Sequence, residues 1–413
     1  MSGKTRQTKT RTHINRRDFV AGAAALSFTI LKPSLVRGSA ANSKINLGLI
    51  GSGGRGVWIA QLFAKNGYNV VAGADYFQDR LDKLTEKLAV KADSLYTGLS
   101  GYRKLLERKD VDAVAIETPP YFHPEQAADA VDAGKHVYLA KPVAVDVPGC
   151  KSIGHSGKKA TEKKLCFRVD FQTRANEFYR EALRRVHAGD LGRFAFGESV
   201  YHTGQTWQHG AEFIKDDPLN PENRLRAWGL FRNFSGDIIT EQNIHALDVT
   251  NWIMNTEPVS AVGMGGRKVR QHNGDCWDWF ALVFEYPDNV GVSFSSKQFK
   301  GYDTPGGIIN RMFGSKGVLE TKYGGQVLIR GDNFYRGGET NEIYKQGPLT
   351  NIAEFRENIV NSRYENRTVA ESVRSNLLTI LGRTAAYKKE KVYWAGMMKS
   401  TERFQPRLKG LKV

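Results

Sequence analysis

Ile45-Asn-Leu-Gly-Leu-Ile-Gly-Ser-Gly-Gly-Arg-Gly56 decides the fold. Residues 45–50 read as a short buried strand, Gly51-x-Gly53-x-x-Gly56 as a turn, and residues 57–65 as helix. Strand, glycine turn and helix in that order make a dinucleotide-binding unit. Gly51 makes the tight turn, Gly53 lets the backbone approach a pyrophosphate, and Gly56 lets the helix pack on the strand. The helix N-terminus offers free N–H groups to phosphate. Gly54 and Arg55 complete the loop and count with the glycines as cofactor-binding candidates. Residues 69–74 form the next strand and end on Asp75, where a carboxylate accepts from a ribose 2′-hydroxyl and repels a 2′-phosphate. That favours NAD; Arg55 and Arg80 keep NADP open.

Strands and helices then alternate, which predicts a doubly wound parallel sheet. Residues 111–116 form a strand that runs into Thr118-Pro-Pro-Tyr-Phe-His123, and Gly134 caps the helix that follows. The strand His136 to Leu139 leads to Lys141-Pro142. Ligands bind at the carboxyl ends of such strands. Thr118, Pro119, His123 and Lys141 therefore join the cofactor candidates, although His123 serves equally well as a helix-capping residue.

The texture changes near Cys166. Residues 176–188 have helical periodicity, and 193–202 alternate like a half-buried strand. Residues 203–232 have no clean period, and so long an irregular stretch is usually functional. Its Trp207, Trp228 and Phe231 offer faces either to a sugar or to the core. A helix is expected over residues 239–254, with Glu241, His245, Asp248 and Trp252 on one face. An imidazole beside a carboxylate suits acid/base work, and no second histidine completes a metal site. Strands follow at 260–269, 281–286 and 290–298, with a tight turn at Gly314 to Gly317. They predict a mostly antiparallel sheet, and residues 351–387 are helical again.

These motifs together resemble the Gfo/Idh/MocA oxidoreductases, in particular an exported branch. The resemblance runs from Lys44 to Met398. It rests on Gly51 to Gly56, Thr118-Pro-Pro-x-x-His123, Gly134-Lys-His-Val-x-x-x-Lys-Pro142, and Gly236 through Asp248. It implies a Rossmann domain followed by an α+β domain with a large sheet. It implies hydride transfer between NAD and a sugar or polyol hydroxyl, and an exported enzyme, unable to recycle free NADH easily, is expected to hold that NAD tightly. The family's Glu-Lys-Pro lysine falls on Lys141, and its Asp-x-x-x-His falls on Glu241 and His245. By this resemblance Lys141, His245 and Glu241 are the catalytic candidates. Arg174, Tyr201 and Trp228 join them as substrate-binding candidates. Two residues depart from the pattern: Ala140 precedes the lysine, and glutamate replaces aspartate at 241. The resemblance also leaves room for an NAD-dependent glycoside hydrolase or lyase working by transient oxidation and elimination. A non-catalytic carbohydrate- or polyanion-binding protein is the third alternative. A homo-oligomer is expected from the family habit of pairing through the second sheet.

The first 41 residues read as an address. A polar basic segment precedes Arg16-Arg17-Asp18-Phe19, an apolar run to Leu31 and small residues at 38–41. That is the layout of a secretory signal, with paired arginines of the twin-arginine type. It predicts a periplasmic or otherwise exported protein that meets the twin-arginine machinery already folded. The expected organisation is leader 1–41, nucleotide domain 42–165, substrate domain 166–345 and a helical segment 346–413. Eight basic residues of the leader face Asp18 alone, so much of the net charge of +17 lies there. The other basic residues are scattered, which argues against nucleic acid. No run is long and apolar enough for a stable membrane span. Cys150, Cys166 and Cys276 lack ligand or redox spacing and read as buried thiols.

Overall fold

The computed structural model describes residues 44–271 and 273–413. The expected leader lies outside them. The first sheet has six parallel strands: β1 (Asn46–Ile50), β2 (Asn69–Asp75), β3 (Leu95–Thr97), β4 (Ala113–Ile116), β5 (His136–Ala140) and β6 (Phe167–Asp170). Their order is β3-β2-β1-β4-β5-β6. Leu47, Leu49, Val114, Ile116, Val137 and Leu139 have almost no exposure, because helices cover both faces. The order reverses between β1 and β4, which opens a crevice at the carboxyl ends. The helix α1 (Gly54–Lys65) starts at that crevice. The parallel sheet continues past residue 165 to take in β6.

The second sheet has nine strands, in the order β14-β13-β12-β11-β7-β10-β9-β8-β15. They are β7 (Phe194–Thr203), β8 (Ser260–Gly266), β9 (Trp279–Tyr286), β10 (Val290–Gln298), β11 (Gly307–Gly314), β12 (Gly317–Lys322), β13 (Gln326–Gly331), β14 (Tyr335–Glu339) and β15 (Val392–Tyr393). β7 and β10 pair parallel, and the other neighbours pair antiparallel. Alternation along β10 buries Val290, Val292, Phe294, Ser296 and Gln298 against the helices. The opposite face leaves Phe196, Val262, Met264 and Val283 exposed.

The expected helix over 239–254 is two helices, α2 (Asp237–Glu241) and α3 (Ile244–Met254). The later helical stretch is also two, α4 (Ile343–Val360) and α5 (Arg367–Lys388). α5 is largely buried, and its Asn376 braces the turn after Lys141. Asn376 Oδ1 accepts from Val143 N at 2.9 Å, and its Nδ2 donates to Ala144 O at 3.1 Å. Arg383, one helical face along, donates to Gly236 O and Val145 O, both at 2.8 Å. One helix thus fixes both the Lys-Pro turn and the start of α2. Among the described residues no helix is long and apolar enough to cross a membrane. The three cysteines are buried free thiols.

Candidate active site

The glycine loop is shaped by what it excludes. Gly51 has φ +95°, and a Cβ there would meet the Glu117 carbonyl carbon at 2.7 Å. A Cβ on Gly56 would lie 1.9 Å from Gly51 O. Gly53 and Gly54 have nothing within 4 Å of an added Cβ, so their backbone faces open space. That space is a cavity of about 740 Å³ lined by the loop from Gly51 to Val57, Asp75, Arg80, Thr118 and Pro119. Asp75 is fixed at its rim. Its carboxylate accepts from Ser52 N at 2.7 Å and Phe77 N at 3.0 Å, and Arg80 Nη1 lies 3.8 Å away. Burial raises the Asp75 pKa, and Arg80 opposes that shift. Open backbone at a helix start, a ribose-binding carboxylate and a cavity of this size fit a nicotinamide dinucleotide.

Beside this cavity the two halves of the chain meet at Lys141, which precedes a cis peptide bond to Pro142. Lys141 Nζ donates to Glu241 O at 2.6 Å and to Glu241 Oε1 at 3.2 Å. Gln242 Nε2 donates to Glu241 Oε2, and Tyr201 Oη donates to Gln242 Oε1 at 2.8 Å. Four side chains therefore form one chain of hydrogen bonds centred on the Glu241 carboxylate. His245 opens α3, with the Tyr323 ring 5.9 Å from its own. Its Nδ1 is buried without a hydrogen-bond partner among the described residues. Burial first, then Lys141 and Arg55, hold its pKa well below 6.5. His245 is therefore neutral at neutral pH, with a lone pair free to accept a proton.

Residues 45–171 match the model of the oxidoreductase family with an NAD-binding Rossmann fold, and residues 179–320 match the GFO/IDH/MocA C-terminal domain. The chain belongs to the Gfo/Idh/MocA oxidoreductase family. Among curated relatives, scyllo-inositol 2-dehydrogenase (NAD(+)) of Bacillus subtilis is 26% identical over 202 residues, or 48% of this chain and 50% of the relative. Alpha-N-acetylgalactosaminidase of Shewanella oneidensis is 30% identical over 169 residues, or 40% of this chain and 36% of the relative. The chain thus spans half or less of these relatives. Levoglucosan dehydrogenase, solved with NADH and levoglucosan, shares the fold with a TM-score of 0.69 at 16% identity, over 85% of this chain and 99% of that one. Scyllo-inositol dehydrogenase of Lactobacillus casei does so with a TM-score of 0.64 at 19% identity, over 86% of this chain and 99% of that one.

Ala140 pairs in register with Asp170 of β6. Glu117 ends the neighbouring strand on the other side, one residue beyond Ile116, which pairs with Leu139. Arg55 Nη2 donates to Asp170 Oδ2 at 2.7 Å, and its Nε lies 3.4 Å from Glu117 Oε2. Two buried carboxylates and an arginine thus flank the position where the family usually carries one glutamate. Burial pushes Glu117 up to about 7, against the pull of Arg55. Sequence reasoning missed Glu117, Asp170, Gln242, Tyr323 and Asn376. A glutamate closing an otherwise apolar strand, Ala113 to Glu117, was the available signal for the first.

Other expected site residues have partners of their own. Arg174 is held in an ion pair: it donates to Asp248 at 3.0 Å and to Glu371 at 2.6 Å and covers the Trp252 ring. Asp248 is fully buried and also accepts from Ser375 Oγ at 2.6 Å, so that face of α3 is a structural ion pair. His123 does not line the cavity. Its Nδ1 lies 2.8 Å from Pro142 O and its Nε2 2.8 Å from Thr118 O, so it sits between the cofactor loop and the Lys-Pro turn with one N–H to give to one of the two carbonyls. Burial lowers its pKa to about 4, while the two carbonyls pull the other way. Trp228 lines the nucleotide cavity, packed edge-on at 4.5 Å against Trp207. The irregular segment folds back over the groove and carries both tryptophans with it.

That segment and the last residues form a clasp. Tyr76 Oη donates to Glu222 Oε1 at 2.6 Å and accepts from Lys412 N at 3.1 Å. Leu99 N donates to Lys412 O at 3.0 Å. Leu411 is buried in a cluster with Phe77, Leu230, Phe231 and Phe234. Tyr76, Phe77 and Leu99 all line the nucleotide cavity.

Proposed function

We propose that this chain catalyses NAD-dependent oxidation of a hydroxyl on a sugar or polyol. The observation that carries the reading is the Lys141–Glu241 pair, with a neutral His245 within electrostatic reach of Lys141 and of Arg55, which lines the nucleotide cavity. Bound NAD supplies the hydride acceptor. Lys141 donates to the reacting oxygen and stabilises the negative charge that develops there. Glu241 keeps the ammonium aimed. His245 takes the hydroxyl proton on a ring nitrogen, and the buried surroundings keep water from screening these charges. The dehydrogenase names of the Bacillus subtilis and Lactobacillus casei relatives support a polyol substrate. The test is NADH formation by the NAD-loaded protein across a panel of sugars and polyols.

A second reading has its own support. The Shewanella relative is named a glycosidase, and the clasp over the groove suits a cofactor that stays bound while its hydride returns to the sugar. Oxidation of one hydroxyl would acidify the neighbouring C–H; loss of that proton and of the aglycone would leave an unsaturated ketone, and addition of water followed by return of the hydride would complete hydrolysis with no net redox. Aglycone release from aryl glycosides without NADH accumulation selects this reading.

We also propose export by the twin-arginine route, on the strength of Arg16-Arg17 and the apolar run that follows. Its test is the N-terminus of the protein recovered from the periplasm. The exposed apolar face at Phe196, Val262, Met264 and Val283 supports a homo-oligomer, to be read by light scattering.

A further inference from the structure

Three buried carboxylates, Glu117, Asp170 and Glu241, share two cations, Arg55 and Lys141. Arg55, in the first turn of α1, donates to Asp170 Oδ2 at 2.7 Å and only approaches Glu117, at 3.4 Å. Lys141 donates to Glu241. Each cation is thus engaged first by another carboxylate, and Glu117 is the one left over. Its side chain is 1% exposed, and its Oε1 has no hydrogen-bond partner among the described residues. The charges within its reach are those of Arg55, Asp170 and Lys141. Tyr138 of β5 also feels Glu117, and burial keeps that phenol neutral by raising its pKa well above 10. Arg168 of β6 is engaged by Glu354 and by Asn351, whose amide donates to Asp170 Oδ1. A buried carboxylate so placed needs either a proton or one more positive charge.

That charge has a source. Glu117 borders the nucleotide cavity, and a Cβ on Gly51 of the glycine loop would lie 2.7 Å from its carbonyl carbon. Asp75 at the end of β2 suits the adenosine ribose, so the nicotinamide half falls on the other side of the loop, over β4 and β5. An oxidised nicotinamide ring carries one positive charge and a reduced ring none. We infer that Glu117 is a proton store tied to the redox state of the cofactor, ionised beside the oxidised ring and protonated beside the reduced one. Among the protein's own groups, burial pushes Glu117 up to about 7, against the pull of Arg55 and Lys141 and with Asp170 adding to the rise. One nearby charge gained or lost therefore changes its protonation at neutral pH. Hydride transfer from an alcohol releases one proton, that of the hydroxyl. Uptake of one proton by Glu117 cancels it, and return of the hydride reverses both. That consequence rests on the proposed hydroxyl chemistry; the coupling of Glu117 to the nucleotide does not.

Competition between the two nucleotides on the loaded protein tests it without turnover. Protein carrying NAD is equilibrated with mixtures of NAD+ and NADH from about pH 6 to about pH 8, and the bound nucleotides are then released and counted. The NAD+ complex holds fewer protons, so the preference for NAD+ over NADH is expected to rise with pH, by about tenfold across that window. Glu117→Gln should make the ratio flat. His245→Asn should keep the rise, since that imidazole titrates well below 6.5. Infrared difference spectra of the wild-type protein read the same group even if Glu117→Gln fails to fold. Near neutral pH a protonated carboxyl band is expected with NADH bound and not with NAD+. A ratio independent of pH in the wild type, an equal rise in Glu117→Gln, or no such band with NADH overturns the inference. A pH-linked ratio with no NADH formation from any sugar would sink the proposed activity and leave Glu117 in this role.

Discussion

Lys141 Nζ donates at 2.6 Å to the backbone carbonyl of Glu241, the acceptor that an unbroken helix would have given to His245 N. His245 N bonds Gln242 O at 3.3 Å instead. The break between α2 and α3 thus frees one carbonyl for the lysine and re-aims the histidine. Lys141→Ala and Lys141→Met are expected to cut turnover by roughly a thousandfold, the scale on which positioned acid/base and charge-stabilising groups act. NAD should stay bound, because the glycine loop and Asp75 are untouched. Steady-state rates beside nucleotide content check this. Wild-type rates in a folded Lys141→Met protein would refute the assignment.

His245 is held neutral by burial and by two nearby cations. Its protonation therefore begins only well below pH 6.5. The acid limb of kcat/KM is expected to lie below that value. His245→Asn should lose activity by about a hundredfold or more and flatten the limb. A limb near pH 7 that survives the substitution would assign it to another group.

Stability should follow the buried histidines. Burial lowers His123 and His136 to about 4 in the folded state, against 6.5 for an ordinary imidazole. The unfolded chain then binds protons that the folded chain does not. Their contribution is complete above pH 6.5 and is lost as the pH falls towards 4. The melting temperature should drop through that window, and His123→Gln should drop less.

Glu117 has the opposite sign. Burial raises it to about 7 from 4.5, so its contribution is present below pH 4.5 and lost as the pH rises through 7. Glu117→Gln should therefore stabilise the protein more at pH 8 than at pH 5. Equal shifts in melting temperature at the two values would show that Arg55 offsets the burial cost fully.

The clasp predicts slow nucleotide exchange. Tyr76→Phe removes the hydroxyl shared by Glu222 and Lys412. It should speed NAD dissociation severalfold, and removal of residues 409–413 should speed it further. Stopped-flow displacement of NADH measures both. Unchanged rates would make the tail a bystander.

The nucleotide half was legible because each signal was local: an apolar strand, three glycines at fixed spacing, an acid at the end of the next strand. Lys141, Glu241 and His245 were legible through the motif. The helix break was not, because residues 239–245 hold no glycine or proline; the competitor for the Glu241 carbonyl comes from β5, a hundred residues earlier. The ion pair of Arg174 was illegible for a related reason. Its sequence neighbourhood says nothing about Asp248 and Glu371, which reach it from α3 and α5. Trp228 reads as a sugar platform until the fold turns its segment over the nucleotide groove.

The most direct test of the central claim is a single-turnover experiment on the NAD-loaded protein with deuterated sugars and polyols. At least one substrate is expected to transfer deuterium from its carbinol carbon to NAD, and Lys141→Met, still loaded with NAD, to transfer it roughly a thousandfold more slowly. Substrate conversion with no deuterium ever reaching the nucleotide, or transfer at wild-type rate in Lys141→Met, would contradict it.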